Sequence, residues 1–594
     1  MNIQEMDIVK NLVQGPYQSQ RVLAEQSGYS LGAVNRCIKS LQEQGLLDED
    51  KALTEQADRL LEENAPRRAV ILAAGFGMRM IPINVETPKA LIRVKGEVLI
   101  ERLIRQLHEV GIREIYVVVG FMKEHFEYLI DDFGVELVVN AEFAESNNLH
   151  SLNLVRDKLS NAYILPCDIW CRTNPFSKQE LYPWYMVEDV EDEHSAVRLN
   201  RKQQLVMTGR NQNGNQMVGI SYITKQFAPV LQQRLEEMSQ DRTCSQSFWE
   251  EALYQNGKMV VWAKVAAAQE VVEINTYEQL RELDQGAEQL QNEAITTIAK
   301  ALNVPTTEIK EITVLKKGMT NRSFLFSCHG QKYIMRVPGE GTDQLIDRRE
   351  EASVYQVIHD KKICDDIVYI NPENGFKITK YLPNVRVCDP HEEGDLQKVM
   401  RVLRNFHQQG IIVDHEFDLW GKMEFYETLW EGKPSAYRDY QRTKERVYTL
   451  RPFIEAHVET KTLTHIDAVP DNFLFYQNEK GEEEIRLIDW EYASMQDPHV
   501  DIAMFCIYAL YNKEEVDHLI DIYFEHQCSM ENRVKIYCYV AICGLLWSNW
   551  CEYKRELGVD FGEYSLRQYR YAKEYYRYAV EGMRKLGLED HQHE

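Results

Sequence analysis

The chain has 594 residues, 44% hydrophobic and 27% charged, and its 93 acidic residues outnumber 68 Lys and Arg to give a formal charge of −25. That length exceeds what one hydrophobic core supports, so two to four domains are expected, and the charge excludes a general polyanion binder: any phosphate site is a local basic pocket in an acidic protein. The twelve Cys are scattered, and the close set Cys167 and Cys171 has no second pair or His cluster at zinc-like spacing, which excludes a stapled mini-protein and points to buried thiols in a reducing cytosol.

The first residues, Met1 to Asp7, carry acid where a secretion signal carries base, and no apolar run reaches membrane-spanning length. A cytoplasmic protein without membrane insertion is expected. Ser19 can cap a helix over 20–26, Gly28 gives a tight turn, and Ser30 can cap a second helix carrying Leu31, Val34, Ile38 and Leu41. Residues 45–54 then read as a short wing before another helix. Over residues 1–64 this spacing resembles the winged helix-turn-helix of bacterial regulators, and the resemblance implies Asn35, Arg36 and Lys39 facing a DNA major groove. Charge speaks the other way, with six Lys and Arg against eleven acids in residues 1–64, whereas DNA binders are basic on their contact face. Winged helices also serve as dimerisation or docking modules, so DNA binding, docking and a homo-oligomer all stay open. Residues 62–66 read as a linker.

Residues 66–285 form the next expected domain. Ala69 to Ala74 is an apolar run between charge and glycine, which reads as a buried parallel strand. Gly75 and Gly77 remove side chains where a backbone must curl round an anion, so a loop over Ala73, Ala74, Gly75 and Gly77 can cradle phosphates, with Arg79 and Lys89 supplying positive charge. Helices over 98–110, 122–133 and 149–158 alternate with strands over 114–119, 135–139 and 162–166. That order implies a mostly parallel, Rossmann-like α/β sheet with ligands at the strand carboxyl ends, where Asp168 can hold Mg²⁺.

The pattern L-A-A-G-x-G-x-R from Leu72 to Arg79, with P-K-x-L from Pro88 to Leu91, resembles the signature of nucleotidyltransferases that join an NTP to a phosphorylated substrate and release pyrophosphate. The stretch Glu145-Ser-Asn-Asn-Leu-His-Ser-Leu152 is similar to the CTP:phosphocholine cytidylyltransferases more than to the sugar-phosphate members. This implies CTP as substrate, Arg79 and Lys89 as catalytic cations, and Asp168 and Asn275 as ligands of Mg²⁺. Asn275 could equally cap a helix. Asn147, Asn148 and Ser151 could contact base or ribose, or cap the helix at Leu149. A quaternary ammonium offers no hydrogen bonds and needs aromatic faces, for which Trp170, Tyr182, Trp184, Tyr222 and Trp249 are available.

A third domain is expected over 290–594. Lys317 to Phe326 reads as a glycine-containing turn between strands and 332–339 as the next strand. An acidic helix with Glu351 follows, then His465-Ile-Asp-Ala-Val-Pro-Asp-Asn472 and Ile485-Arg-Leu-Ile-Asp-Trp-Glu491. The order resembles the α+β fold of choline and aminoglycoside kinases. It implies ATP contacts from Thr320 and Asn321, Arg336 in the place of the ATP-contacting Lys of protein kinases, and Glu351 as its ion-pair partner. Asp467 would orient the attacking hydroxyl, and Asn472 and Asp489 would hold Mg²⁺. Trp547 and Trp550 lie three apart on one helix face. They resemble the choline pocket of these kinases, with Tyr564 or Tyr569 completing the box; the alternative is two Trp packed into a core.

Together the resemblances describe a pathway: choline and ATP give phosphocholine, and phosphocholine and CTP give CDP-choline and pyrophosphate. The rivals are the same chemistry on ethanolamine or another amino alcohol, and a transcription regulator whose catalytic domains sense choline or CDP-choline.

Overall fold

Four helices open the chain: α1 (Ile3–Gln14), α2 (Gln20–Ser27), α3 (Leu31–Glu43) and α4 (Glu55–Glu63). Each begins at a short polar cap, Asn2, Ser19, Ser30 and Thr54, whose side chain accepts a first-turn amide that would otherwise lack a partner. Gly28, at φ +72°, ends α2 and turns the chain into α3. The wing expected over 45–54 is reduced to one bridge between Leu47 and Leu53. Ile8, Val9, Leu23, Val34, Ile38, Leu41, Leu47 and Leu61 form the core of this bundle, together with Leu181 from the next domain. The computed structural model describes residues 1–83, 87–144, 146–209, 212–315, 321–339, 345–478, 480–556 and 561–588, and the chain divides into two units, Met1–Thr296 and Thr297–Glu594.

The rest of the first unit is built from β1 (Arg68–Ala73), a hairpin of β2 (Arg93–Val94) and β3 (Glu97–Val98), α5 (Leu99–Glu109), β4 (Glu114–Val119), α6 (Tyr128–Phe133), β5 (Glu136–Val139), α7 (Asn148–Leu154), β6 (Ala162–Pro166) and β7 (Ile169–Cys171). There follow β8 (Trp184–Asp192), β9 (Val197–Leu199), β10 (Gln204–Met207), β11 (Gly214–Ile223), α8 (Ala228–Gln240), β12 (Tyr254–Gln255), β13 (Lys258–Ala266), β14 (Val271–Glu273) and α9 (Tyr277–Leu283), and the boundary between the units falls within α10 (Glu293–Leu302). The main sheet runs β5-β4-β1-β6-β11-β8-β13-β10-β9. Its first four strands are parallel, but β11 is antiparallel to both neighbours, which corrects the expected mostly parallel sheet. The reason is that β11 is the return arm of a hairpin whose outgoing arm is β8: Gly214, where β11 begins, sits opposite Asp192, where β8 ends, and β9 and β10 lie in the excursion between them. Both sheet faces are covered, Ile71, Val117 and Leu165 by α5, and Val70, Val118 and Ile164 by α7 and α8, so β1 reads as a continuous apolar run. The helix expected over 122–133 starts only at Tyr128, because Met122 takes a left-handed φ of +48° and a 3-10 turn intervenes. The one expected over 149–158 ends at Leu154, where Val155 leaves helical backbone at φ −116°.

In the second unit β15 (Lys310–Val314), β16 (Asn321–Cys328), β17 (Gln331–Pro338), β18 (Ile367–Ile370) and β19 (Lys377–Lys380) form an antiparallel sheet of order β15-β16-β17-β19-β18, with α11 (Arg348–Ile358) between β17 and β18 in the chain. Short strands β20 (Arg386–Val387), β21 (Thr462–Thr464), β22 (Phe473–Gln477), β23 (Glu483–Leu487) and β24 (Ser494–Gln496) flank the loops that carry Asp467 and Asp489. Helices α12 (Glu393–His407), α13 (Leu419–Thr428), α14 (Tyr440–Tyr448) and α15 (Arg451–His457) precede β21, and α16 (His499–Tyr508), α17 (Lys513–Tyr523), α18 (Met530–Glu556) and α19 (Glu563–Lys585) end the chain. Helices α18 and α19 pack so closely that a Cβ on Gly544 would lie 2.7 Å from the Tyr571 Cβ and 2.8 Å from the Gln568 carbonyl.

Candidate functional site

Two cavities hold the expected chemistry, one in each unit. The first, about 1060 Å³, opens at the carboxyl end of β1 and β6 and is lined by Ala73, Ala74, Gly75, Gly77 and the groups that face them. Gly77 has φ +59°, and a Cβ there would meet the Lys89 side chain at 3.1 Å, so glycine both allows the turn and lets the lysine stem pass. The Lys89 ammonium pairs with Asp168 Oδ2 and donates to Asn275 Oδ1 at 2.7 Å, and Arg79 donates to the same oxygen at 3.2 Å. The two expected cations and the two expected metal ligands therefore form one knot. Asp168 Oδ1 is buried with no hydrogen-bond partner among the described residues, and the donors are oxygens only, which fits a hard cation such as Mg²⁺. Burial, with the Asp168 charge beside it, pushes the Glu273 carboxyl up.

The open alternatives resolve in part. Thr276 caps α9, so Asn275 is not the cap. Asn147 caps α7, while the Asn148 side chain accepts the Trp249 amide at 2.8 Å and Ser151 Oγ accepts from Asn140 at 3.0 Å; all three line the cavity.

None of the five available aromatics lines it. Trp170 lies under the Lys95 ammonium at 4.2 Å and Trp184 under Lys264 at 4.1 Å, Tyr222 donates to the Asn64 carbonyl, Tyr182 donates to Asp7, and Trp249 is buried. Their sequence neighbours face the cavity instead. Along β8, side chains alternate faces, so Trp184 goes to the α5 side and Tyr185 to the other, where its hydroxyl donates to Glu250 Oε1 at 3.2 Å. Glu250 Oε2 is buried with no hydrogen-bond partner among the described residues, and burial pushes this carboxyl up to about 7. Glu251 and Tyr254 complete this wall. Sequence reasoning missed it, and the one signal was strand alternation beside Trp184.

The second cavity, about 790 Å³, is lined by Asn321, Arg336, Asp467, Asn472, Asp489, Glu491 and aromatic residues of the helices. Thr320 lies outside the described residues. Arg336 reaches the wall, yet its guanidinium is spent on Glu351, at 2.5 and 2.9 Å, and on the Gly375 carbonyl at 2.7 Å. Burial alone would raise the Glu351 carboxyl, but the Arg336 charge outweighs it and holds the group at about 2. Arg348, unnoticed in the sequence, ties Glu351 to Glu491 at 3.1 Å each, and Asn321 donates to Glu491 at 2.9 Å.

Asn472 donates to the Asp467 backbone and carboxylate at 2.9 and 3.1 Å, fixing the loop between them. Asp501 accepts the His465 and Ile466 amides at 3.0 and 2.7 Å and holds the loop from behind. Burial and the neighbouring Asp489 push Asp467 well above the usual carboxylate range, and burial with Glu491 takes Asp489 to about 7. Ile466 and Asp489 both carry left-handed backbone, φ +67° and +66°, the kind of strain that collects at functional loops. Asn472 and Asp489 again offer oxygen donors that fit Mg²⁺. Among the described residues no group of three or more His, Cys, Asp or Glu is placed to hold a metal, so nucleotide phosphates and amide oxygens would complete either site.

Trp547, Trp550, Tyr564, Tyr492 and Tyr508 line the same cavity. Trp547 meets Tyr492 edge-on at 6.2 Å and Tyr564 meets Tyr508 at 6.2 Å. Tyr569 stacks on Tyr437 at 3.8 Å and donates to Asp439, away from the cavity, so of the two candidate tyrosines it is Tyr564 that lines it.

Residues 312–542 match the family model described as choline/ethanolamine kinase, 69–244 that of the MobA-like NTP transferase domain, and 1–48 that of a winged helix-turn-helix DNA-binding domain. The chain is 45% identical over 109 residues to a choline-phosphate cytidylyltransferase of Streptococcus pneumoniae, 18% of this chain and 48% of that protein, so it spans about half the length of this relative. It is 27% identical over 262 residues to Protein LicA of Haemophilus influenzae, covering 42% of this chain and 96% of that protein. It is 28% identical over 234 residues to a 2-aminoethylphosphonate cytidylyltransferase of Lancefieldella rimae, covering 37% of this chain and 92% of that protein.

Proposed function

We propose that this chain, which carries a winged helix-turn-helix, a MobA-like NTP transferase domain and a choline/ethanolamine kinase domain, makes CDP-choline from choline in two steps. The domains are read as 1–64, 66–285 and 290–594. In the first step the choline hydroxyl oxygen bonds to the γ-phosphorus of ATP and ADP leaves. In the second a phosphocholine oxygen bonds to the α-phosphorus of CTP and pyrophosphate leaves. The observation that carries this reading is the aromatic box of Trp547, Trp550 and Tyr564 sharing one cavity with Asp467, Asn472 and Asp489. A trimethylammonium is held by ring faces, and Asp467 then accepts the hydroxyl proton and aims the oxygen. In the other cavity Lys89 and Arg79 stabilise charge that develops on the departing phosphates, the glycine loop cradles them, and Tyr185 with Glu250 takes the cationic head. Asp168 with Asn275, and Asn472 with Asp489, would hold Mg²⁺, which when bound neutralises phosphate charge. The reading places the protein in the cytoplasm, where both nucleotides are made; among the described residues no helix is long and apolar enough to cross a membrane.

The test is mass spectrometry of the products from choline, ATP, CTP and Mg²⁺. Asp467→Asn is expected to stop phosphocholine formation while supplied phosphocholine is still converted, and Asp168→Asn to do the reverse, each by about 10³-fold or more. Chelation of Mg²⁺ stops both. A wild-type chain that consumes neither nucleotide ends the proposal. A second reading, ethanolamine, is favoured by the carboxylates of Glu250 and Glu251, which suit a primary ammonium. It wins if Trp547→Ala and Trp550→Ala leave kcat/KM for ethanolamine unchanged and that value exceeds the one for choline.

A further inference from the structure

The helix-turn-helix is not a tethered appendage. At one end the Glu63 and Asn64 carbonyls accept Asn161 Nδ2 at 2.7 Å and the Tyr222 hydroxyl at 2.6 Å, which fixes the exit of α4 to the transferase sheet. At the other, α1 grips three consecutive residues of the transferase domain. Lys10 Nζ lies 2.5 Å from Glu180 Oε2, Leu181 is buried in the winged-helix core, and the Tyr182 hydroxyl donates to Asp7 Oδ1 at 2.7 Å. Asp7 is steadied through its second oxygen by the Tyr29 hydroxyl at 2.5 Å.

The gripped residues lie on the segment that joins the two sides of the transferase cavity. It leaves the cavity at Asp168 and returns to it at Tyr185, three residues after Tyr182. Glu180 has a wholly buried side chain, and its oxygens are divided between the two domains: Oε2 to Lys10, Oε1 to the Tyr163 hydroxyl at 3.1 Å on β6, the strand that ends at the Asp168 loop. Lys264, the other cation near it, stands at 3.9 Å. A buried carboxylate stripped of its closest cation keeps an uncompensated charge, and as it moves toward water it draws the strap carrying Tyr182 and Tyr185 with it. The outward face of α3, with Leu31, Asn35, Arg36 and Lys39 exposed, takes no part in this grip.

We propose that the winged helix-turn-helix is a working part of the cytidylyltransferase site, with Lys10 and Asp7 as positioning residues that set Tyr185 and Glu250 for the cationic head of the phosphorylated alcohol. This rests on the transferase reading given above. Along the chain the grip ends three residues before Tyr185, whereas none of its contacts reaches Gly75 or Gly77, so its effect is expected on the alcohol phosphate before the nucleotide.

The test is steady-state kinetics on the full chain, with kinase turnover of the same preparation as the measure of intact protein. Lys10→Met is expected to raise KM for phosphocholine about tenfold and to leave KM for CTP within about twofold, and Lys10→Arg to restore the wild-type value. Tyr182→Phe removes one oxygen and keeps the packing; it is expected to raise the same KM about threefold, and it decides the matter if Lys10→Met does not fold. If Tyr182→Phe, and Lys10→Met where it folds, lower the melting temperature but keep both KM values, the winged helix is a structural prop and the proposal fails. A wild-type chain without cytidylyltransferase activity ends the transferase reading, and this proposal with it.

Discussion

Glu250 shows how one side chain can set a working pH. Its folded value of about 7 exceeds the ordinary 4.5 because burial penalises the charged form. Neutral Glu250 therefore contributes stability that is fully present below the ordinary value and is lost as pH rises through the folded one. The charged form is the one that attracts a cationic head. KM for phosphocholine is accordingly expected to fall as pH rises from about 6 to about 8, and Glu250→Gln to give a higher, flat profile; an unchanged profile in the variant would remove Glu250 from the site. At this scale the sequence was most legible where chemistry demands a pattern. Lys89, Asp168 and Asn275 belong to motifs, and the structure brings them within hydrogen-bond reach. Glu250 is one acid among 93 and has no motif; only folding places it beside Tyr185. Arg348 was hidden for the same reason, since a buried ion-pair knot leaves no spacing to read.

Elements were legible where a single physical rule governs them. Caps at Ser19 and Ser30 begin helices as the side chains require, and β1, β4 and β6 fall on their apolar runs. Interruptions were not legible: a left-handed Met122 and a bent Val155 carry no glycine or proline to announce them. The reversal of β11 was equally silent, because direction depends on how the links close and not on the strand's own residues. Helices α18 and α19 meet at two glycines, Gly544 on α18 facing Tyr571 and Gly582 on α19 facing Val534. Gly544→Ala forces a Cβ against Tyr571 and the Gln568 carbonyl, and overpacking of this kind costs about 1–3 kcal/mol. Since Trp547 follows one turn later on α18, the variant is expected to lower the melting temperature and raise KM for choline together, with KM for CTP unchanged as the control.

At the scale of the molecule, each unit contains a whole cavity with its own acids, cations and aromatic or acidic wall. On the two-step reading proposed above, phosphocholine released from one unit would be available to any copy of the other. A mixture of Asp168→Asn and Asp467→Asn chains is expected to make CDP-choline from choline where neither chain does so alone, read by the same mass spectrometry; failure of the mixture would mean that the intermediate does not leave its chain. The order of the domains was legible from motif order alone. The seating of the winged helix was not, because Glu180, Leu181 and Tyr182 look like any connecting stretch. Leu181 has one more consequence, for synthesis on the ribosome. Residues 1–64 are made more than a hundred residues before the leucine that fills their core, a delay on the order of ten seconds at typical elongation rates. During that interval the nascent bundle waits with an apolar gap in its core, and Leu181 arrives to fill it while β8 to β14 of the downstream domain are still to be made.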